Sequence, residues 1–332
     1  MKRNLYLAIT FSFFIHMTMN GQTYSSLWKQ VSEAVDNDLP KTEQQLLRQI
    51  AEKAESEGEY SILLKAELQE ARSLCSVSPD SLPASVERLQ QREQQARDSV
   101  LKAVYCCVLG YVYNNNSILD EDNYRAVAAI YYTRALAHPE QLAAVKSSAY
   151  DDIIDKRSDS RLYDDDLLSI IGYEAQRFDV LSDYYVKSGN RRAALLASLQ
   201  VLRQQRPQEM ERLNKSQYLY RLDSLVNEYA DLQECGEAAI ERYDFMDMRT
   251  DATAAQKMLY LNEALQKWGS WQRMNVLRNR QRDLTALQFH VEGDATVLIP
   301  APHTAQPNSQ SPILNSQSSI LNSQSSRMLR LT

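Results

Sequence analysis

The side chains that most often carry chemistry are few in this sequence, and their spacing serves no familiar reaction. The four histidines, His16, His138, His290 and His303, include no pair at metal-ligand spacing, and none has a cysteine near it in sequence. Of the four cysteines, Cys75, Cys106, Cys107 and Cys235, the adjacent pair lies in a helical stretch, where neighbouring side chains diverge and cannot bond to each other. Most of them read as small buried apolar residues, with a bridge from Cys75 to Cys106 or Cys107 as the alternative. Carboxylates gather at Asp151, Asp152, Asp155, Asp159 and Asp164 to Asp166. They lack the alternating ligands, central glycine and terminal glutamate of a calcium loop, and so read as solvated loop acids capping the next helix. The sequence contains no glycine-rich phosphate loop, no G-x-S-x-G turn and no zinc-protease helix. Carboxylates drawn together in space leave hydrolysis as a competing reading. The expectation is a chain with no enzymatic role and no catalytic, cofactor-binding or metal residues.

What the sequence does position is helices. Between Phe178 and Pro207, Leu181, Tyr185 and Val186 share one helical face, and Gly189-Asn190 supply a tight turn. Ala193, Ala194, Ala197 and Val201 then face back, their small side chains permitting a close approach, and Pro207 is expected to end the unit. The spacing of Phe178, Leu181, Tyr185, Gly189, Ala194 and Pro207 resembles a tetratricopeptide repeat, although Ser198 and Val201 depart from its usual residues. A second copy opens with Tyr105, Leu109, Gly110 and Tyr113, closes with Ala128, Tyr132, Ala135 and Pro139, and carries an extra loop at Asn114 to Ser117. A lone hairpin cannot bury its apolar face, so two imperfect copies imply a stacked array.

Composition agrees. The chain has 332 residues, 44% of them hydrophobic, with only 8 glycines and 9 prolines; Leu, Ala, Gln, Glu and Arg predominate, as in long helices. A net charge of -6 with scattered basic residues argues against a nucleic-acid partner. Residues 1–21 read as a signal peptide: Lys2 and Arg3 precede an apolar run from Leu5 to Met19, and cleavage is expected after Gly21. No cysteine stands there to carry a lipid. The rival reading, an uncleaved anchor, is opposed by Thr10, Ser12, His16 and Thr18 within the run. No later segment is apolar enough to cross a bilayer.

Further helical stripes run through Trp28, Val31 and Val35, through Leu46, Leu47, Ile50 and Ala54, and through Leu63 to Leu74. The opening, SSLWKQVSEAVDNDLPKTEQQLLRQIAEKAESEGEYSILLKAELQ, resembles the start of the large Bacteroidetes-type alpha-2-macroglobulin-like proteins, with its tryptophan, its Asp-Leu-Pro-Lys turn and its Leu-Leu-Lys-Ala-Glu run. Ser78 to Leu82, Leu101 to Tyr105, Leu162 to Asp164, Tyr173 to Ala175 and Leu265 to Trp268 match later landmarks, so the resemblance covers roughly residues 25–287. It implies the helical N-terminal region of a protease-trapping protein. The thioester expected of that family is missing: Glu234-Cys235-Gly236-Glu237 comes nearest but lacks the glutamine, so Cys235 reads as structural. Asp80-Ser81-Leu82, Asp98-Ser99-Val100 and Asp223-Ser224-Leu225 fit a glycosylation pattern of such bacteria; at least the first two stand at expected helix starts, and helix caps are the favoured reading.

The expected fold is therefore all-α: an irregular superhelix of tetratricopeptide-like antiparallel pairs over residues 22–283, a short β segment at 284–301, and a low-complexity, disordered tail at 302–332 in which Ile-Leu-Asn-Ser-Gln-Ser-Ser occurs twice. The β segment reads as the start of a macroglobulin-like domain cut short by a truncated or broken reading frame. The expected role is a non-catalytic scaffold or docking region, exported to the periplasm or cell surface; the alternative is a free-standing exported protein-binding module. The partner in either case is a protein or peptide, and no cofactor is expected.

Overall fold

The computed structural model describes residues 23–116, 123–154, 156–211, 215–248 and 252–286. The leader, the tail and residues 287–301 of the expected β segment lie outside them. Among the described residues the chain is mostly helical, with fourteen α-helices packed as antiparallel neighbouring pairs. Extended pairing there is limited to one isolated antiparallel bridge, Lys146 to Asp166. The described residues fall into two compact units, 23–234 and 235–286.

In the first unit, α1 (Tyr24–Asp36), α2 (Pro40–Glu57) and α3 (Tyr60–Val77) form a consecutive antiparallel set. Each boundary has a local cause. The Thr23 side chain accepts from the Ser26 amide at 3.2 Å and starts α1. Pro40 opens α2, where its missing N–H costs nothing, and Gly58 closes it at φ 75°. Leu27, Val31 and Ala34 of α1 pack on Leu47, Ile50 and Ala54 of α2 and on Leu63 and Ala66 of α3, and all are buried. α4 (Leu82–Gln95) leads to α5 (Ser99–Asn115), whose start is capped by Asp98 accepting from the Leu101 amide at 2.7 Å. α5 pairs with α6 (Tyr124–Ala135). Asn114 and Asn115, expected in a loop, are the last turn of α5; the amides of Asn115 and Asn116 donate to the carbonyls of Tyr111 and Val112.

Beyond the short α7 (Pro139–Ala143), two 3-10 turns, Ser147–Tyr150 and Ser160–Tyr163, deliver the chain to α8 (Leu167–Glu174). Seven of its eight residues, Leu167 to Tyr173, are buried. A helix apolar all round must be enclosed on every side, and α8 accordingly packs against α5, α7 and α9 (Phe178–Ser188). α9 turns at Gly189, φ 76°, into α10 (Arg191–Glu211), which packs on α11 (Lys215–Glu228). The expectation that Pro207 ends its helix fails: α10 continues through it to Glu211. A proline removes one i to i−4 hydrogen bond, and here the loss falls near the end of a 21-residue helix. Val186, expected to face inward, is 55% exposed. In the second unit α12 (Gly236–Asp247), α13 (Ala254–Trp268) and α14 (Asn275–Thr285) pack around Leu261, Trp268, Met274 and Leu277. Leu284 and Thr285, expected to begin the β segment, are the final residues of α14.

Several buried tyrosine hydroxyls donate to carboxylates on other elements: Tyr105 to Glu67 at 2.7 Å, Tyr132 to Glu174 at 3.2 Å and Tyr185 to Asp166 at 2.7 Å. Burial holds all three carboxyls above their ordinary range, and the tyrosine hydrogen bonds only partly oppose it. A carboxyl raised in the folded chain takes up its proton first there, so its stabilising contribution is complete below the unfolded pKa and is lost as pH rises through the folded one. The exposed Glu57 and Asp231 are shifted down and act in the opposite sense, so a single-residue comparison is needed. Urea midpoints of the chain and of Glu174→Gln, measured from pH 4 to pH 7, should show the parent losing ground to the variant as pH rises; a constant difference would contradict the sign.

Candidate functional site

A concavity of about 470 Å³ lies between α1 and α3. Trp28, Val31, Ser32 and Val35 form one wall, at positions i, i+3, i+4 and i+7 of α1. Gln69, Arg72, Ser73 and Ser76 form the other, at the same four offsets on α3. Seven residues of helix rise about 10 Å, and Glu43, in the first turn of α2, completes the lining. Because both walls pack against the intervening antiparallel α2, α1 and α3 run in the same direction and the groove follows them.

Its walls differ in chemistry. On α1 the groove is apolar: Val31 is buried but Val35 is 50% exposed. The Trp28 ring is half-buried, with the Lys65 ammonium 4.8 Å from its centroid; that lysine also pairs with Asp152 at 3.2 Å. On α3 the groove is polar. The Ser73 hydroxyl donates to Glu43 at 2.6 Å and the Ser76 hydroxyl to the Ser73 carbonyl at 2.8 Å. Arg72 is exposed and Gln69 half-buried, and neither side chain has a partner among the described residues. The groove thus offers a guanidinium and an amide with no partner among the described residues, opposite the exposed Val35 and the half-buried Trp28.

The expected signature residues are not gathered there. Gly110 and Tyr132 meet inside the α5–α6 hairpin, while Tyr113, Leu181 and Phe178 pack on residues outside the set. A Cβ placed on Gly110 would come within 2.7 Å of the Tyr132 ring, so the glycine is what lets α5 and α6 close. Tyr105, Leu109, Ala128 and Ala135 are buried around that contact, while Tyr113 stacks on Tyr131 with centroids 5.7 Å apart, and Pro139 is the first residue of α7. Leu181 lies against Gly172, Phe178 against the Tyr173 ring at 4.8 Å, and Ala194 is buried at the start of α10. Ser198, anomalous by sequence, exchanges a 2.7 Å hydrogen bond with Ser182 across the α9–α10 hairpin.

The other candidates are occupied internally. None of the four cysteines is in a disulfide among the described residues, so the expected bridge from Cys75 is not formed, and Cys106, Cys107 and Cys235 are buried; burial and the neighbouring Glu93 push the Cys106 thiol up to about 12, far from a reactive thiolate. Among the acids expected to be solvated, Asp166 is buried, Asp152 accepts from Ser61 and Lys65, Asp159 from Arg157, and Asp165 from Ser160. Asp155 lies outside the described residues, among which no set of three ligating side chains converges. Asp223 and Ser224 fall within α11, so helix capping accounts only for the two earlier Asp-Ser pairs as positions, and only Asp98 makes the capping bond.

Sequence reading missed Gln69, Arg72, Ser73 and Ser76, although their offsets form a continuous polar stripe beside the apolar positions of α3. No helix of the described residues is long and apolar enough to cross a membrane. No family model, curated protein or solved structure matches the chain.

Proposed function

We propose that this chain is a non-catalytic docking scaffold of tetratricopeptide-like hairpins, exported from the cell, whose α1–α3 groove receives a segment of another protein. The observation that carries this reading is the groove itself: the exposed Val35 and half-buried Trp28 face Arg72 and Gln69, which have no partner among the described residues, a mixture of apolar and polar groups suited to a peptide. Catalysis plays no part in the proposal. One wall of the groove, Trp28 included, comes from the opening residues, where the resemblance to alpha-2-macroglobulin-like proteins is most particular. That coincidence favours placing the scaffold at the front of such a protein over a free-standing module.

A photoreactive benzoylphenylalanine at Val35 tests the reading, since this exposed position faces the groove and tolerates a larger side chain. Irradiation in an envelope extract should yield a discrete adduct, with a macroglobulin-type component as the expected partner. Adducts no more abundant than those from the same probe at Val186, an exposed position outside the groove, would overturn it. Incubation with a panel of proteases should leave no covalently captured enzyme, and capture of any would refute a scaffold without trapping machinery.

A further inference from the structure

Resting on that docking role, we infer that the groove selects an extended peptide in which an apolar side chain adjoins a carboxylate. The walls dictate this from opposite sides. Val35 is apolar and exposed and Trp28 beside it is half-buried, so the occupant must bring apolar surface to gain from entering. Charge complementarity specifies the rest. Two charged side chains line the groove, and the acidic one, Glu43, already accepts the Ser73 hydroxyl. Arg72 is left as a guanidinium with no partner among the described residues, on an exposed surface suited to a two-pronged grip on a carboxylate. Three positions before it, Gln69 presents an amide, able both to donate and to accept, which matches the N–H and C=O of a main chain rather than a second ion. The walls run about 10 Å, the length of three extended residues at about 3.3 Å each. The recognised unit is therefore short: one apolar side chain, one main-chain amide and one acid.

Selection of a phage-displayed random heptapeptide library on the purified chain tests this, with Arg72→Glu and Val35→Asp as parallel targets. Both substitutions are at exposed positions, and far-UV circular dichroism checks that their helices persist. The parent should enrich peptides with Asp or Glu beside Leu, Ile, Val or Phe. Synthetic versions of these should bind Arg72→Glu at least about tenfold more weakly, lose affinity when the acid becomes an amide, and weaken as salt rises. Arg72→Glu should instead enrich peptides carrying Lys or Arg at the acid position. Enrichment of other sequences whose binding is abolished by Val35→Asp would overturn the acid preference and leave the docking role standing. Enrichment of nothing that depends on Val35 or Arg72 would overturn both.

Discussion

Asp166→Ala is expected to destabilise the first unit by about 3 kcal/mol, because one buried carboxylate both caps α8 and ties it to α9. Its Oδ1 accepts the Ser169 amide at 2.8 Å and so caps α8. Its two oxygens receive the Tyr185 hydroxyl from α9, the shorter contact being 2.7 Å. Its backbone pairs with Lys146 in the isolated bridge, while the preceding carbonyl of Asp165 accepts the Ser147 amide at 2.8 Å. Removing the carboxylate deletes a cap, worth about 1 kcal/mol, and leaves a buried phenolic hydroxyl unpaired at a cost of about 1–3 kcal/mol. Hydrogen exchange read by mass spectrometry reports this locally: peptides spanning α8 should exchange about a hundredfold faster in the variant, 1.4 kcal/mol being tenfold. Asp166→Asn keeps a good cap and an acceptor for Tyr185, so it should recover most of the protection. Equal loss in both variants would show that the negative charge, rather than the hydrogen-bond geometry, holds the junction.

The helices themselves were legible because their causes are local. Trp28, Val31 and Val35, or Leu46, Leu47 and Ile50, declare a period of 3.6, and Pro40, Gly58 and Gly189 mark boundaries through backbone restrictions that act within a few residues. Pro207 shows the limit of such reasoning. A proline inside a helix costs about 3 kcal/mol, and the burial of Ala193, Ala194, Leu195, Ala197 and Leu199 earlier in the same helix can offset it. Val35 and Val186 show another: periodicity says which residues share a face, whereas exposure depends on which neighbour covers that face. The groove was hidden for the same reason. Arg72 and Gln69 look like ordinary solvated helix residues, and only the placement of α1 beside α3 turns their stripe into a wall. Nor does a tyrosine in sequence reveal its acceptor: Tyr105 and Glu67 lie 38 residues apart, and Tyr132 and Glu174 lie 42 apart.

Gly110→Val should be comparably damaging, and its partner can be named in advance. The absent side chain at Gly110 is the space into which the Tyr132 ring fits, with two ring carbons 2.7 Å from where a Cβ would stand. Valine brings that Cβ plus two methyl groups, and the ring must move. Overpacking of this kind costs about 1–3 kcal/mol. Any gain in helix propensity is small, since a β-branched residue improves on glycine by only a few tenths of a kcal/mol. Moving the ring also withdraws its hydroxyl from Glu174, for which no other hydrogen-bond donor is present among the described residues, so the damage extends from the α5–α6 hairpin to the end of α8. A combined loss of about 3 kcal/mol is expected. The double-mutant cycle with Tyr132→Ala distinguishes this from a general intolerance of side chains in α5. Truncating the tyrosine costs about 3 kcal/mol by itself, but it vacates the space, so Gly110→Val added on that background should cost under about 1 kcal/mol. An interaction term of about 2 kcal/mol follows if the two residues compete for one volume; strict additivity in urea unfolding would mean that the glycine answers to something other than the ring across from it.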